Sequence, residues 1–301
     1  MLGLVSHIQG YSTKDGPGIR STVFMMGCNH RCIWCSNPET IQSNIKILYH
    51  KRLCQKCGRC VKHAVNNSIT LEQDGCIINR ELCTNLHEMV DICPFNAYEK
   101  KGEWYTPIEL ATKLLKDKDY YDISGGGVTF SGGEATLQSA FVFEVAKILK
   151  QHQIHVAIDT AGLFDFDEIK PLLELVDLIL YDIKTFDATL HKLLIKTDNK
   201  VIIDNLYKLS KLNKDIIIRL IIVPTLNDQE ADFIKRLELI ADLPNPVKQV
   251  DILPYHNLGV GKYEALGLDY SLKDLKEANT EMISKFYNLS VIMNLNTTIG
   301  G

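Results

Sequence analysis

A regular alternation of apolar strands and amphipathic helices fills the chain after Trp104, and it constrains the fold more than any other feature. The strands are apolar and rich in β-branched residues, which is typical of strands buried on both faces. Helical stretches separate them, so the strands are expected to pair in parallel beneath a cover of helices. The sequence therefore predicts an α/β fold built on a parallel sheet.

Six strand–helix units can be counted. The predicted strands are 20–26, 127–131, 155–159, 178–183, 216–223 and 249–254. The predicted helices are 107–118, 137–152, 165–175, 200–212, 228–242 and 272–287, with a short strand after the last one. Thr106 is the expected N-cap of the first of these helices, and Pro107 its first residue. Six units are fewer than the eight of a closed barrel.

Composition excludes several classes of protein. A length of 301 residues suggests about two domains, and 46% hydrophobic residues can bury a sizeable core. The formal charge of −4 leaves no electrostatic footprint for nucleic acid. No stretch approaches the ~18 apolar residues of a membrane span, and the first residues do not resemble a signal peptide. We expect a cytoplasmic protein without nucleic-acid or membrane partners.

Nine cysteines crowd into the first third of the chain, eight of them between Cys28 and Cys83 and the ninth at Cys93. In a protein that is not secreted, such clustering indicates metal binding and argues against a disulfide framework.

Cys28, Cys32 and Cys35 form the first cluster, with spacings of Cys-x3-Cys-x2-Cys. Three thiolates hold three irons of a 4Fe-4S cluster and leave the fourth iron open, which is where chemistry would occur. A closed structural site uses four protein ligands. The alternative is a zinc knuckle that takes a distant cysteine as its fourth ligand.

A second cluster begins at Cys54, Cys57 and Cys60, the start of the bacterial ferredoxin run Cys-x2-Cys-x2-Cys-x3-Cys-Pro. The fourth position of this run is Ala64, and a second run counted back from Cys93-Pro94 keeps only Cys83 and Cys93. Ferredoxins cross their ligands between runs, so the complete set is Cys54, Cys57, Cys60 and Cys93. One auxiliary 4Fe-4S cluster is predicted.

Two cysteines remain outside this set. Cys76 and Cys83 are interpreted as plain buried thiols, although Cys83 is also an alternative to Cys93 as a ligand. A zinc ribbon built from Cys54, Cys57, Cys83 and Cys93 is the competing interpretation of this segment.

The cysteine motif after an apolar strand resembles the signature of the radical S-adenosylmethionine (SAM) enzymes. The flanking motifs resemble one branch of them, the glycyl radical enzyme activating enzymes of the pyruvate formate-lyase activase type. Those motifs are Asp15-Gly16-Pro17-Gly18-Ile19-Arg20 and Ser36-Asn37-Pro38-Glu39. The resemblance implies a partial (β/α)6 TIM-like barrel from residues 1–48 and 105–301, with a ferredoxin-like insert at 49–104. It also implies that Asp15, Gly16, Pro17 and Gly18 face the partner enzyme.

Most of the remaining candidate residues end or follow the predicted strands, at the edge where active sites of parallel barrels lie, whereas Arg219 lies within the fifth predicted strand. Gly132, Gly133 and Glu134 resemble the family motif that holds the amino group of SAM, although Ala135 replaces the usual proline. Glycines let the backbone approach a ligand, and a carboxylate can accept from an ammonium group. A generic glycine turn is the alternative.

Acidic and basic residues end the next strands. By resemblance, Asp159, Thr160 and Asp182 form a monovalent-cation site beside the SAM carboxylate, which Lys184 contacts. Clustered aspartates do need a cation to offset their repulsion, although ion pairs without function would satisfy the same pattern. Arg219 and His256 match family positions that line the cofactor pocket.

The implied reaction is reductive cleavage of SAM at the open iron. The 5'-deoxyadenosyl radical would abstract hydrogen from a backbone glycine of a partner glycyl radical enzyme, with electrons from a flavodoxin or a ferredoxin-type reductant. The expected oligomeric state is a monomer. A radical SAM enzyme acting on a small molecule or peptide is the alternative, and an electron carrier or zinc protein is a second.

Overall fold

The computed structural model describes residues 1–300. Within them the strands are β1 (Gly3–Ser12), β2 (Arg20–Met25), β3 (Lys46–Tyr49), β4 (Ile69–Glu72), β5 (Gly75–Ile78), β6 (Tyr98–Lys101), β7 (Glu103–Tyr105), β8 (Gly127–Gly132), β9 (His155–Thr160), β10 (Leu178–Asp182), β11 (Asp215–Ile222), β12 (Gln249–Pro254) and β13 (Thr297–Ile299).

Nine of these strands form the main sheet, in the order β13-β12-β11-β10-β9-β8-β2-β1-β7. Every neighbouring pair from β13 to β2 is parallel, whereas β1 pairs antiparallel with β2 and β7. The six predicted strands are consecutive members of the parallel part, each within one residue of its expected bounds. The prediction of an α/β fold on a parallel sheet is confirmed.

The α-helices of the described residues are α1 (Arg59–His63), α2 (Met89–Ile92), α3 (Pro107–Leu114), α4 (Lys118–Ser124), α5 (Ser139–Gln151), α6 (Phe166–Leu175), α7 (Ala188–Ile195), α8 (Lys200–Ser210), α9 (Glu230–Ala241), α10 (Val260–Leu266) and α11 (Thr280–Ile292). No helix within residues 1–300 has the length and apolar character that a membrane crossing requires.

Helix α3 begins as the sequence predicts. The Thr106 hydroxyl accepts from the Glu109 amide at 3.2 Å, and the Glu109 carboxylate accepts from the Thr106 amide at 2.8 Å. This reciprocal capping box satisfies two backbone donors that the first turn would leave unpaired. The helix is shorter than expected, because a 3-10 turn separates it from α4.

The main core lies between the parallel strands and the helices that cover them. Phe130 of β8, Ile218 of β11 and Leu237 of α9 are completely buried within it. Burial of the β-branched strand residues supplies most of the driving force that holds the strands in register.

The end of the chain differs from expectation. The helix predicted at 272–287 is wrong at its start, because α11 begins only at Thr280. The Asn279 side chain caps that helix by accepting from the Met282 amide at 2.8 Å. Strand β1 had no counterpart in the sequence prediction, since Ser6, His7 and other polar residues interrupt its apolar pattern.

Residues 46–101 form a unit of their own beside the main sheet. Strand β3 pairs antiparallel with β6, and β4 pairs antiparallel with β5, in two small sheets. A separate cluster of buried side chains fills this unit, and Met89, Ile69 and Tyr98 are among its members. Strand β7 then returns the chain to the main sheet.

One buried ion pair fixes the segment that follows β10. Asp232 on α9 accepts from the Thr185 hydroxyl (2.8 Å) and from the amides of Phe186 (2.9 Å) and Asp187 (2.8 Å). Its second oxygen lies 3.0 Å from Nε of Arg236, whose side chain is fully buried. A single carboxylate therefore anchors the chain directly after Lys184.

Removing this carboxylate should destabilise the fold strongly. Asp232→Ala leaves Arg236 as an unpaired buried charge, and we expect the free energy of unfolding of the cofactor-free chain to fall by about 3–5 kcal/mol in urea titrations. The matched control is Asp122→Ala, which removes the exposed i,i+4 pair of Lys118 and Asp122 and should cost about 0.5 kcal/mol or less. Similar losses in both variants would contradict the anchoring role of Asp232.

Candidate active site

The first cysteine loop begins where β2 ends. Its three cysteines, Cys28, Cys32 and Cys35, line one cavity of about 200 Å³. The Gly27 amide donates to the Thr40 carbonyl at 2.7 Å, which ties the start of the loop to the segment that follows it. Thiolates are the ligands of iron–sulfur clusters, and free space lies beside these three sulfurs. The donor set fits such a cluster.

The far side of the loop rests on the carboxyl end of α7. The amides of Arg31 and Ile33 donate to the carbonyls of Ile195 (2.9 Å) and Leu194 (3.1 Å). Trp34 is nearly buried against the same helix. These contacts hold the loop from two directions without using the cysteine side chains.

Burial raises the pKa of the Cys28, Cys32 and Cys35 thiols to about 11. Without metal the three groups are therefore protonated at neutral pH. Binding of iron would release these protons, so loading of the site should be easier at higher pH.

The cavity brings together most of the residues predicted at the strand ends. Those that line it are Cys28, Cys32, Cys35, Gly132, Gly133, Asp159, Thr160, Asp182 and Lys184. The predicted residues Glu134, Arg219 and His256 are not part of its lining.

Gly132 and Gly133 allow the end of β8 to cross the start of the cysteine loop. Gly132 has φ +105°, and a Cβ atom on Gly133 would lie 2.2 Å from the Gly27 carbonyl oxygen. That oxygen accepts from the Glu134 amide at 2.7 Å. Any larger residue at Gly133 would push the two segments apart, so both glycines have a geometric role.

Glu134 is buried, and its side chain is directed at the loop after β9. One carboxylate oxygen accepts from the hydroxyls of Thr136 (2.6 Å) and Thr160 (2.8 Å), and the other accepts from the Ala161 amide (2.9 Å). Burial raises the pKa of this carboxyl against the opposing effect of these hydrogen bonds. The structure thus gives Glu134 the geometry of a residue that orients Thr160.

Two ion pairs lie at neighbouring strand ends. Lys184 Nζ is 2.7 Å from Asp182 Oδ2, and Arg219 Nη1 is 3.1 Å from Asp159 Oδ2. Burial opposes the charged form of Asp182, but Lys184 and Arg219 outweigh it and lower the pKa of that carboxyl. Burial likewise opposes the charged form of Lys184, yet Asp182 and other negative groups raise its pKa. Lys184 is therefore a fixed positive charge in the cavity wall.

Arg219 connects Asp159 to the loop of Asp15, Gly16, Pro17 and Gly18. Its Nη2 lies 3.9 Å from Oδ1 of Asp15, whose other oxygen accepts from the hydroxyls of Ser12 (2.6 Å) and Thr22 (2.8 Å). The loop of Asp15, Gly16, Pro17 and Gly18 precedes β2, at the opposite end of that strand from Cys28. One guanidinium group thus bridges the loop and Asp159.

The same loop lies directly against Gly126, the residue before β8. A Cβ atom on Gly18 would lie 2.5 Å from the Gly126 amide nitrogen. The fully buried Arg20 donates to the Pro17 carbonyl (3.2 Å) and to the Thr129 hydroxyl (2.7 Å). Only Pro17 of the four loop residues is exposed.

The two histidines near the site differ from expectation in opposite ways. His256 is exposed. His30, which sequence reasoning missed, is buried in the cavity wall, with Nδ1 3.0 Å from the Asn29 side-chain oxygen and its ring 6.3 Å from that of His191. Burial, followed by the charge of Lys184, lowers the pKa of His30 to about 3. Its position between two cysteines of the motif was the available signal.

A second cavity gathers cysteines from residues 46–101. Cys54, Cys57, Cys60 and Cys93 all line it, and so does Cys76. Cys83 is buried elsewhere in the same unit. The sulfurs of Cys60 and Cys76 are 3.5 Å apart. These thiols fit an iron–sulfur cluster by their chemistry, and they include one more cysteine than four ligands require.

Comparison with known proteins yields one family. Residues 91–237 match the model of the radical SAM superfamily. The chain is 35% identical to the trans-4-hydroxy-L-proline dehydratase activating enzyme of Clostridioides difficile, over 99% of both chains. It is 30% identical to the pyruvate formate-lyase 2-activating enzyme of Escherichia coli K12, over 99% of this chain and 92% of that one.

Solved structures are similar as well. A domain of a pyruvate-formate lyase-activating enzyme from Bacteroides vulgatus superimposes with a TM-score of 0.51 at 26% identity, covering 59% of this chain and all of the domain. A radical SAM methyltransferase from Sphaerobacter thermophilus shares the fold, with a TM-score of 0.55 at 12% identity over 98% of this chain and 76% of the other. The chain belongs to the glycyl radical enzyme activating enzymes of the radical SAM superfamily.

Proposed function

We propose that this chain cleaves SAM reductively at a 4Fe-4S cluster held by Cys28, Cys32 and Cys35, and that it generates the radical on a backbone glycine of a partner glycyl radical enzyme. The observation that carries the proposal is the single cavity in which three thiols meet the charged side chains of Asp159, Asp182 and Lys184. When bound, the cluster supplies the electron that breaks the carbon–sulfur bond of SAM.

The residues of the cavity divide the work of holding SAM between them. Lys184 is the buried cation that suits the SAM carboxylate. Gly132 and Gly133 expose backbone to the cavity, and their carbonyl oxygens suit its ammonium group. Glu134 is proposed as a positioning residue that acts through Thr160, because its carboxylate is already taken up by protein donors.

The carboxylates of Asp159 and Asp182, with Thr160, suit a monovalent cation. Lys184 pairs with Asp182 and Arg219 with Asp159, but Asp15 shares the Arg219 guanidinium, so three carboxylates meet two cations. Burying carboxylates without compensation is costly, so an added cation would stabilise the arrangement. His256 is exposed, and its contribution to cofactor binding would require this loop to move.

The partner enzyme is proposed to dock at the loop of Asp15, Gly16, Pro17 and Gly18. Exposed Pro17 offers the contact, while Asp15 links the loop to Arg219 and so to the cavity. The relatives activate enzymes that act on different substrates, among them trans-4-hydroxy-L-proline and choline. The partner of this chain is therefore proposed by class alone.

We further propose that the parallel strands form a partial (β/α)6 barrel, and that residues 46–101 are a ferredoxin-like insert. The order β3-α1-β4-β5-α2-β6, with β3 paired to β6 and β4 to β5, supports the insert. The unit spans residues 46–101, so each of its boundaries lies three residues before the expected one. The cysteines that line its cavity support one auxiliary 4Fe-4S cluster on Cys54, Cys57, Cys60 and Cys93.

A flavodoxin or ferredoxin-type protein is the proposed reductant, and the proposed active form is a cytoplasmic monomer. The insert brings a second redox site into the chain, which suits electron delivery by a protein donor.

The defining test is radical formation on a partner. The anaerobically reconstituted chain, mixed with SAM, a reductant and a candidate glycyl radical enzyme, should produce a glycyl radical signal by electron paramagnetic resonance. The signal should vanish when the partner's radical-bearing glycine is replaced by alanine. Formation of 5'-deoxyadenosine without any glycyl radical signal, to the same extent with every candidate protein and with none, would contradict a protein substrate.

Iron analysis tests the two cysteine sites. The reconstituted wild type should hold about eight irons per chain, and Cys54→Ala with Cys57→Ala about four. Cys93→Ala should also lose auxiliary iron, whereas the matched control Cys83→Ala should keep about eight irons, because Cys83 is absent from the cavity. Zinc in the insert, or loss of iron in Cys83→Ala only, would refute the proposed ligand set.

Lys184 should matter for SAM binding more than a similar lysine elsewhere. Lys184→Met should weaken SAM binding to the reconstituted enzyme by about tenfold or more, about 1.4 kcal/mol, as measured by equilibrium dialysis. Lys150→Met is the control. Lys150 also pairs with an aspartate, Asp177, at 2.8 Å, but Asp177 precedes β10, whereas Lys184 follows that strand at the cavity. Equal losses in the two variants would exclude a specific contact with SAM.

A further inference from the structure

Five thiols surround the cavity of the insert, although the proposed auxiliary cluster needs four. Cys76, on β5, is the additional one. Its sulfur is 3.5 Å from that of Cys60, and its side chain is buried. A sulfur this close to a proposed ligand is within range of an S–H···S hydrogen bond.

Two tyrosines converge on the same cysteines. Tyr49 on β3 and Tyr98 on β6 are opposite each other across the antiparallel pair, with ring centroids 5.0 Å apart. The Tyr49 hydroxyl accepts from the Cys76 amide at 2.8 Å, which leaves its own proton free to donate, and Cys54 packs against the same cluster of buried side chains.

The Tyr98 hydroxyl makes no comparable bond. It is buried and has no hydrogen-bond partner, although Tyr98 lines the cysteine cavity together with Cys60. A buried, unpaired hydroxyl costs free energy unless something accepts its proton. A thiolate or an inorganic sulfide in this cavity would be that acceptor.

We propose that Tyr49, Tyr98 and Cys76 are hydrogen-bond donors to the sulfurs of the auxiliary cluster and that they raise its reduction potential. The inference rests on the proposed cluster at Cys54, Cys57, Cys60 and Cys93. The three residues act through the ligands and are positioning residues.

The direction of the effect follows from charge. Reduction adds one electron to the cluster and its thiolates, so donors aimed at the sulfurs stabilise the reduced state more than the oxidised one. Burial strengthens the effect, because the same dipoles act with less screening in a low dielectric.

The test isolates the auxiliary cluster within the full chain. Cys28→Ala, Cys32→Ala and Cys35→Ala together remove the catalytic cluster and should leave about four irons per chain. Redox titration followed by electron paramagnetic resonance then reports one cluster. As a second route, in the chain with all cysteines, the auxiliary signal is the part that SAM does not change.

Tyr98→Phe is the cleanest variant, since its hydroxyl serves no other visible bond. At the potential where the parent cluster is half reduced, we expect about a tenfold lower ratio of reduced to oxidised cluster, ~59 mV for one electron. Cys76→Ala should lower the ratio as well, and Cys76→Ser should restore part of it. Tyr121→Phe is the matched control and should change nothing, because this buried hydroxyl donates to the Leu114 carbonyl outside the insert.

The outcomes separate the two levels of the proposal. Unchanged potentials in Tyr98→Phe and Cys76→Ala, with about four irons retained, would overturn the donor role alone. Loss of iron in Cys76→Ala would overturn it differently, by making Cys76 a ligand. Absence of iron from the chain without catalytic cysteines would instead refute the auxiliary cluster itself.

Discussion

Parallel pairing from β2 to β13 is the constraint on which the site depends. In a parallel sheet every carboxyl end lies on the same edge, so the residues that follow β2, β8, β9 and β10 are neighbours although they are far apart in the sequence. The cysteine loop, the two glycines and the ion pairs therefore meet because the fold places strands that are distant in sequence side by side. A change of register in one strand would move its ligand group out of the cavity.

Because the site is assembled this way, the sequence predicts its members better than their orientation. The strands could be found from their apolar, β-branched composition, and the polar residues at their ends followed at once. Glu134 shows the limit of this reasoning. Its position after β8 was predictable, but the direction of its carboxylate depends on Thr136, Thr160 and the Ala161 amide, and the Thr160 loop is contributed by another strand.

The same limit applies where the local signal is weak or shared. His256 follows β12 as expected, yet it is exposed, because position in sequence does not determine whether a loop folds over the cavity. The start of α11 was missed because the apolar residues from Leu272 onward suit a packed loop as well as a helix. Leu272 and Leu275 do pack beside the buried Tyr255, in a short turn closed by the Leu275 amide donating to the Leu272 carbonyl at 3.0 Å and not in a continuous helix.

The two cysteine sites contrast in what surrounds the sulfurs. Beside Cys28, Cys32 and Cys35 there is a cavity of about 200 Å³ whose wall carries Lys184 and two aspartates. The cavity among the insert cysteines is about 10 Å³, and its lining includes the aromatic residues Phe95 and Tyr98 and the fifth cysteine, Cys76.

Room and fixed charge at the first site suit a ligand that must enter, react and leave, whereas the second site offers little free space beyond what the cluster proposed there would occupy. Counting cysteines in the sequence predicts both sites. The number of cysteines in each set already predicts one open and one closed cluster, and the neighbours that the fold brings to each set of thiols add the charge and the free space that differ between the two sites.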